Sequence, residues 1–143
     1  MEIKFGAYTY SDNKVLISTD KVIGLLKKSY WANNRKKETT QKAIENSLCV
    51  GIYFGKEMVG FARLVTDNAT MYWLCDVIID EKHRKNGLGK KLIEIITNMK
   101  ELDGMFGLLA TRDAQGLYEK YGFKKVDGEK YMRKSELNSI NMT

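Results

Sequence analysis

The chain has no proline, a single histidine and only two cysteines among its 143 residues. Cys49 and Cys75 lie far apart, each inside an apolar run. There is no CxxC, no HExxH and no zinc-ligand spacing, which excludes the familiar metal motifs and a disulfide framework. The expectation is no metal, with buried thiols in a reduced compartment, the cytoplasm. No apolar run approaches the roughly 18 residues of a membrane span. The opening residues lack an apolar stretch after a basic start, against a secretory leader. Without proline or a Gly/Ser-rich stretch, no linker divides the chain. At roughly 100–200 residues per domain, 1–143 is read as one domain. Residues 135–143 are polar and read as a frayed tail.

What is present is an ordinary globular balance, 43% apolar and 29% charged residues. Lys and Arg number 24 against 18 Asp and Glu, a net charge of +6. That sign favours an anionic partner: nucleic acid, a membrane surface or a phosphorylated small molecule. The positive charge is spread along the chain, with one cluster, Lys82-His83-Arg84-Lys85, running into Asn86-Gly87-Leu88-Gly89-Lys90-Lys91.

Residues 3–10 read as a strand, 21–28 as a helix capped by Ser18-Thr19-Asp20, and 38–46 as a second helix. Strands at 48–54 and 58–66 flank a Gly55-Lys56-Glu57 turn, and 71–80 is a nearly continuous apolar strand, the pattern of one covered on both faces. The period then changes. Leu88, Leu92, Ile95, Ile96 and Met99 form one helical stripe. A strand at 105–110 follows, then a helix carrying Ala114, Leu117, Tyr118 and Tyr121 on one face, stopped by Gly122. Strands at 123–126 and 130–133 close the chain. The order predicts an α/β (α+β) fold, a mixed and mostly antiparallel sheet of about seven strands flanked by about four helices.

The informative unit is the strand Val77-Ile78-Ile79, the basic loop and the glycine-framed helix start. First-turn N–H groups and a helix dipole favour an anion there, and glycine lets a phosphate approach. The glycine spacing fits neither the P-loop nor the dinucleotide fingerprint. The bland alternative is a glycine-tolerant helix start with solvated lysines.

Arg84-Lys85-Asn86-Gly87-Leu88-Gly89 matches R/Q-x-x-G-x-G/A, and Ala114-Gln115-Gly116-Leu117-Tyr118-Glu119-Lys120-Tyr121-Gly122-Phe123 resembles A-x-x-L-Y-E-K-x-G-F. Both are motifs of the GNAT superfamily of acetyl-CoA-dependent N-acetyltransferases, and the chain resembles that family from end to end in its order of elements. The resemblance implies acetyl-CoA as cosubstrate, its pantetheine arm along the backbone of Val77, Ile78 and Ile79, and its pyrophosphate on the loop of Arg84, Lys85, Asn86, Gly87, Leu88, Gly89 and Lys90. It implies that Tyr118 protonates the departing thiolate. The chain departs from the pattern at Glu81, where a proline often stands, and at Thr111, where an asparagine often stands.

Read from residue type alone, Tyr118 is equally a core tyrosine of its helix stripe, and Tyr121 packs. Asp76 is a carboxylate inside an apolar strand. Burial would raise its pKa into the range of a base, or the group is structural, hydrogen-bonded to backbone or an arginine. Glu57 and Asp67 read as hairpin surface, and His83 as an exposed residue near phosphate. A water chain would need no side-chain base. Tyr30 and Trp31, between the first two helices, either wall an acceptor pocket, as the resemblance implies, or anchor the helix pair. Arg63 and Arg112 face an acceptor carboxylate or solvent. The leading expectation is transfer of acetyl to a primary amine by a monomer or homodimer, without nucleic acid or membrane partners. A catalytically silent coenzyme A-binding protein and a nucleic-acid-binding module are the alternatives.

Overall fold

The computed structural model describes residues 1–126 and 130–134. Among them six strands form one sheet in chain order, β1 Glu2–Phe5, β2 Tyr8–Ser11, β3 Leu48–Phe54, β4 Glu57–Thr66, β5 Met71–Ile79 and β6 Phe106–Leu109. All neighbours are antiparallel except the last pair, β5 and β6, which is parallel. A parallel pair needs a crossover, and α3 (Leu88–Thr97) supplies it. Helices α1 (Thr19–Leu26) and α2 (Lys37–Glu45) precede β3, and the short α4 (Gln115–Glu119) follows β6.

The sheet is covered on both faces. On one face Leu88, Leu92, Ile95, Ile96 and Met99 of the α3 stripe pack on Val50, Ile52, Leu64 and Leu74. On the other, Val22 and Leu26 of α1 pack with Ile44, Cys49, Phe61 and Ile78. The near-continuous burial of β5 follows from this sandwiching. Cys49 and Cys75 are buried free thiols, and burial pushes them up to about 11 and about 12.

Two strand expectations are corrected. The stretch 3–10 is two strands, because Gly6, at φ +59°, turns the chain between Phe5 and Tyr8. Residues 123–126 and 130–133, expected as the two closing strands, form no strand. Phe123 packs on the core beside Tyr118, but the apolar side chains after it find little cover, with Val126 57% and Met132 97% exposed. Among the described residues the sheet therefore has six strands. The expected tail at 135–143 lies outside the described residues.

Candidate active site

Pairing of β5 with β6 stops at Leu74 and Leu109, while β5 runs on to Ile79. Residues 75–79 thus stand beyond the last rung, with their β6-side backbone edge facing the gap. On its other edge β5 carries a bulge. The register with β4 slips between Phe61 and Arg63, and Asp76 sits at φ +53°, in the left-handed region. Bulges bend a strand and increase its twist. Here the bend lies at the mouth of the gap.

At the end of β5 the chain turns through a short 3-10 segment, Glu81–His83, capped by the Asp80 carboxylate. The loop is tied down by its own side chains. Arg84 Nε donates to the Ile79 carbonyl at 3.1 Å, and Asn86 Nδ2 donates to the His83 carbonyl at 2.8 Å. Lys85 and Gly87 both take positive φ, +67° and +74°. Gly87 is the N-cap of α3, and no side chain caps that end. The first-turn N–H groups, from Leu88 to Lys90, therefore have no side-chain partner. A Cβ placed on Gly89 has only Leu117 Cδ2 near it, at 4.0 Å, so the space above this turn is open. Lys85 and Lys90 are exposed beside it, whereas the Leu88 side chain is buried in the core.

The β1–β2 hairpin grips this loop, which the amino-acid pattern did not reveal. Tyr8 Oη lies 2.9 Å from His83 Nδ1, the Phe54 ring packs on both, and Tyr10 Oη donates to the Leu88 carbonyl at 2.8 Å. His83 is consequently half-buried and engaged, not an exposed phosphate contact.

Asp76 is 1% exposed and surrounded by donors. Arg35 Nη1 and Nη2 reach Oδ2 and Oδ1 at 2.7 and 3.1 Å, Arg63 Nε reaches Oδ2 at 2.9 Å, and Trp31 Nε1 reaches Oδ1 at 3.0 Å. Arg63 also donates to Ser47 Oγ at 3.2 Å. Burial alone would raise the carboxyl, as expected from its strand, but the Arg35 hydrogen bonds and the charges of Arg63 and Arg35 outweigh it, and the net shift is downward. Arg63 is thus a core partner of Asp76 and faces neither solvent nor an acceptor. Arg35 carries no local signal of this role. A buried carboxylate demands a cation, but nothing local in 33–37 says which cation reaches it. Glu57 and Asp67 lie at strand ends, and Asp67 accepts from Ala69 and Thr70 to hold the β4–β5 turn.

Trp31 packs edge-on against Tyr30, with ring centroids 5.0 Å apart. Tyr30 in turn lines a cavity of about 1140 Å³ together with Leu109, Thr111, Arg112, Tyr118 and Tyr121. The Arg112 guanidinium lies 3.8 Å from the Tyr30 ring centroid. Tyr118 is 6% exposed and packs edge-on against Phe123, and its hydroxyl has no hydrogen-bond partner among the described residues. Burial first, then Tyr30 and Asp113, push its phenol up to about 12, so it holds its proton at neutral pH. Tyr30 and Tyr118, expected on separate grounds, thus meet at one cavity. The 84–90 loop and Asp76 stand outside its lining. Among the described residues no cluster of His, Cys, Asp or Glu could hold a metal ion, and no helix is long and apolar enough to cross a membrane.

The chain is similar to known proteins along most of its length. It is 26% identical over 111 residues to a Gibberella zeae protein provisionally named an acetyltransferase, a stretch covering 64% of this chain and 63% of that protein. This chain thus spans less than two thirds of that relative's length. A Xanthomonas campestris protein assigned to the GNAT family superposes with a TM-score of 0.86 at 29% identity, covering 96% of this chain and 98% of that one. A Staphylococcus aureus protein of provisional acetyltransferase class shares the fold at TM-score 0.73 and 18% identity, covering 91% and 99%. The family model for the acetyltransferase (GNAT) domain matches residues 7–143, and with the split between β5 and β6 above an uncapped, glycine-framed helix start, the chain belongs to the GNAT acetyltransferase family.

Proposed function

We propose that this chain transfers the acetyl group of acetyl-CoA to a primary amine by direct attack. The observation that carries the reading is Tyr118, a buried phenol with an unspent hydroxyl at a cavity beside the gap between β5 and β6. When bound, acetyl-CoA supplies an activated thioester. The residues present fit it. The uncapped first turn of α3, with open space over Gly89 and Lys85 and Lys90 alongside, suits a pyrophosphate. The unpaired β5 edge of Val77, Ile78 and Ile79 suits an amide-bearing arm, and a backbone N–H at the end of that strand is a fixed dipole for a developing oxyanion.

Tyr118 keeps its proton well above neutral pH, so it can give that proton to a departing sulfur, a role worth roughly 10²–10⁴-fold. Asp76 is assigned a positioning role. Its oxygens are occupied by Arg35, Arg63 and Trp31, and its lowered pKa makes it a poor proton acceptor near neutrality. Through Trp31 it fixes Tyr30, which lines the cavity. Deprotonation of the amine then falls to water. The buried free thiols accord with a reducing compartment such as the cytoplasm. No specific observation favours a silent coenzyme-binding protein or a nucleic-acid module.

The test is titration with acetyl-CoA followed by calorimetry and thermal melting, then thiol release with a panel of amines. Binding that raises Tm, followed by turnover, is expected. No heat and no thermal shift at millimolar acetyl-CoA would refute the coenzyme site. Saturable binding without turnover on any amine would refute the transferase.

A further inference from the structure

The cavity at Tyr118 has a sign. Its described lining includes Arg112, Lys124 and Lys125 against one carboxylate, Glu119; Arg133 lines it too but has a partner of its own. Beside it, two guanidiniums, Arg35 and Arg63, share the single buried carboxylate of Asp76, leaving that cluster net positive. The disposition of Arg112 adds direction to this charge. Its guanidinium is stacked on Tyr30, 3.8 Å from the ring centroid. Among the described residues it makes no ion pair and no hydrogen bond, although Asp113 is its neighbour in the chain and Glu119 lines the same cavity. A guanidinium held by its face keeps the donors on its edge. Those donors form a planar fork suited to a carboxylate or phosphate.

From this geometry we propose that the acceptor is an amine that also carries an anionic group, a carboxylate or a phosphate, and that Arg112 binds that group. The inference rests on the acetyl-transfer reading and names its substrate class. The same field addresses the nucleophile. An amine attacks only in its neutral form, and nearby positive charge disfavours the ammonium. A cationic cavity therefore holds the acceptor by its anion and favours loss of the amine proton to water, which suits a site whose buried carboxylate is already spent. A polyamine, with nothing but positive charge, would be repelled by the same groups.

The experiment is thiol release from acetyl-CoA with matched amines, on the wild-type protein and on Arg112→Gln and Arg112→Lys. Each α-amino acid is paired with its amide, and phosphoethanolamine with ethanolamine, so that the two arms separate carboxylate from phosphate. Spermidine is included as the all-cationic amine. The anionic member of at least one pair should be preferred by wild type. Arg112→Gln should lower kcat/KM on that member by about 10–100-fold, chiefly through KM, and collapse the ratio within the pair. Arg112→Lys should recover part of it, because it keeps the charge and loses the fork. Arg112 is exposed, so neither change touches the core. Turnover of neutral amines or spermidine as good as that of the anionic members would overturn the anion-binding assignment alone. So would a ratio unmoved by Arg112→Gln. Silence with every amine, despite bound acetyl-CoA, would overturn the transferase reading along with it.

Discussion

Asp76→Asn separates a structural carboxylate from a catalytic one. The substitution keeps the shape of the side chain, and asparagine tolerates the left-handed backbone found at φ +53°. What it removes is charge and one acceptor. Two arginines and the Trp31 indole all donate to the two oxygens of Asp76, so an amide nitrogen in place of either oxygen sets donor against donor. Removing one partner of a buried ion pair costs about 3–5 kcal/mol. Arg35 is 21% exposed and retains some hydration, which favours the lower figure. At about 3–5 °C of Tm per kcal/mol for a domain of this size, the expected drop is roughly 10 °C or more. The pH dependence follows from the sign of the shift. The folded carboxyl lies below its unfolded value, so its stabilisation is fully present above about pH 4 and is lost as pH falls through the folded pKa. Thermal melts from pH 8 down to pH 3 should show a constant gap between wild type and variant that closes only at the acid end. Enzyme that remains folded should keep the acidic limb of its pH–rate profile. A variant as stable as wild type would refute the positioning role, and a stable variant that also loses that limb would restore Asp76 as the base.

Tyr118→Phe deletes only a hydroxyl that has no described partner, so kcat and kcat/KM should fall together by roughly 10²-fold or more, with Tm little changed. Tyr121→Phe is its control, and steady-state thiol release on both variants checks the assignment; an active Tyr118→Phe would remove the acid. Gly89→Val should fold, since a Cβ there meets only Leu117 Cδ2 at 4.0 Å, yet weaken acetyl-CoA binding by calorimetry; unchanged affinity would place the phosphates elsewhere. Gly107→Ala should lower stability by about 1–3 kcal/mol in a denaturant melt, because its Cβ would fall 2.3 Å from Cζ of the Tyr72 ring, which a wild-type midpoint would contradict.

Most elements were legible because their signals are local. The α3 stripe, the Ser18 cap and the doubly covered β5 depend on neighbouring residues in the chain, and each lies where the pattern put it. The loop before α3 was legible for the same reason, its glycines and basic residues being contiguous. What escaped was non-local. Tyr8 and Tyr10 read as ordinary strand aromatics, and only the sheet order carries them to His83 and Leu88. Burial of Asp76 was legible from its apolar strand. The direction of its titration was not, because that depends on Arg35 and Arg63 arriving from two other segments. The hairpin at Gly6 was hidden by strand-like residues on both sides of a tight turn, and the closing strands rested on short apolar stretches of which only Phe123 finds cover in the core.

The hairpin's hold on the loop has a consequence for cooperativity. β1 is an edge strand with one neighbour, and Glu2, Lys4 and Phe5 are exposed, so this hairpin belongs to the part of a fold that opens most readily. Yet Tyr8 and Tyr10 secure residues 75 and 78 positions away, and Lys91 of α3 lies 5.7 Å over the Phe5 ring. When the hairpin lifts, the loop and the first turn of α3 lose their outer support. A ligand seated on that turn therefore opposes the lifting, by a factor set by its concentration over its dissociation constant. Amide exchange in the first eleven residues then reports occupancy of a site to which none of those residues need contribute a contact.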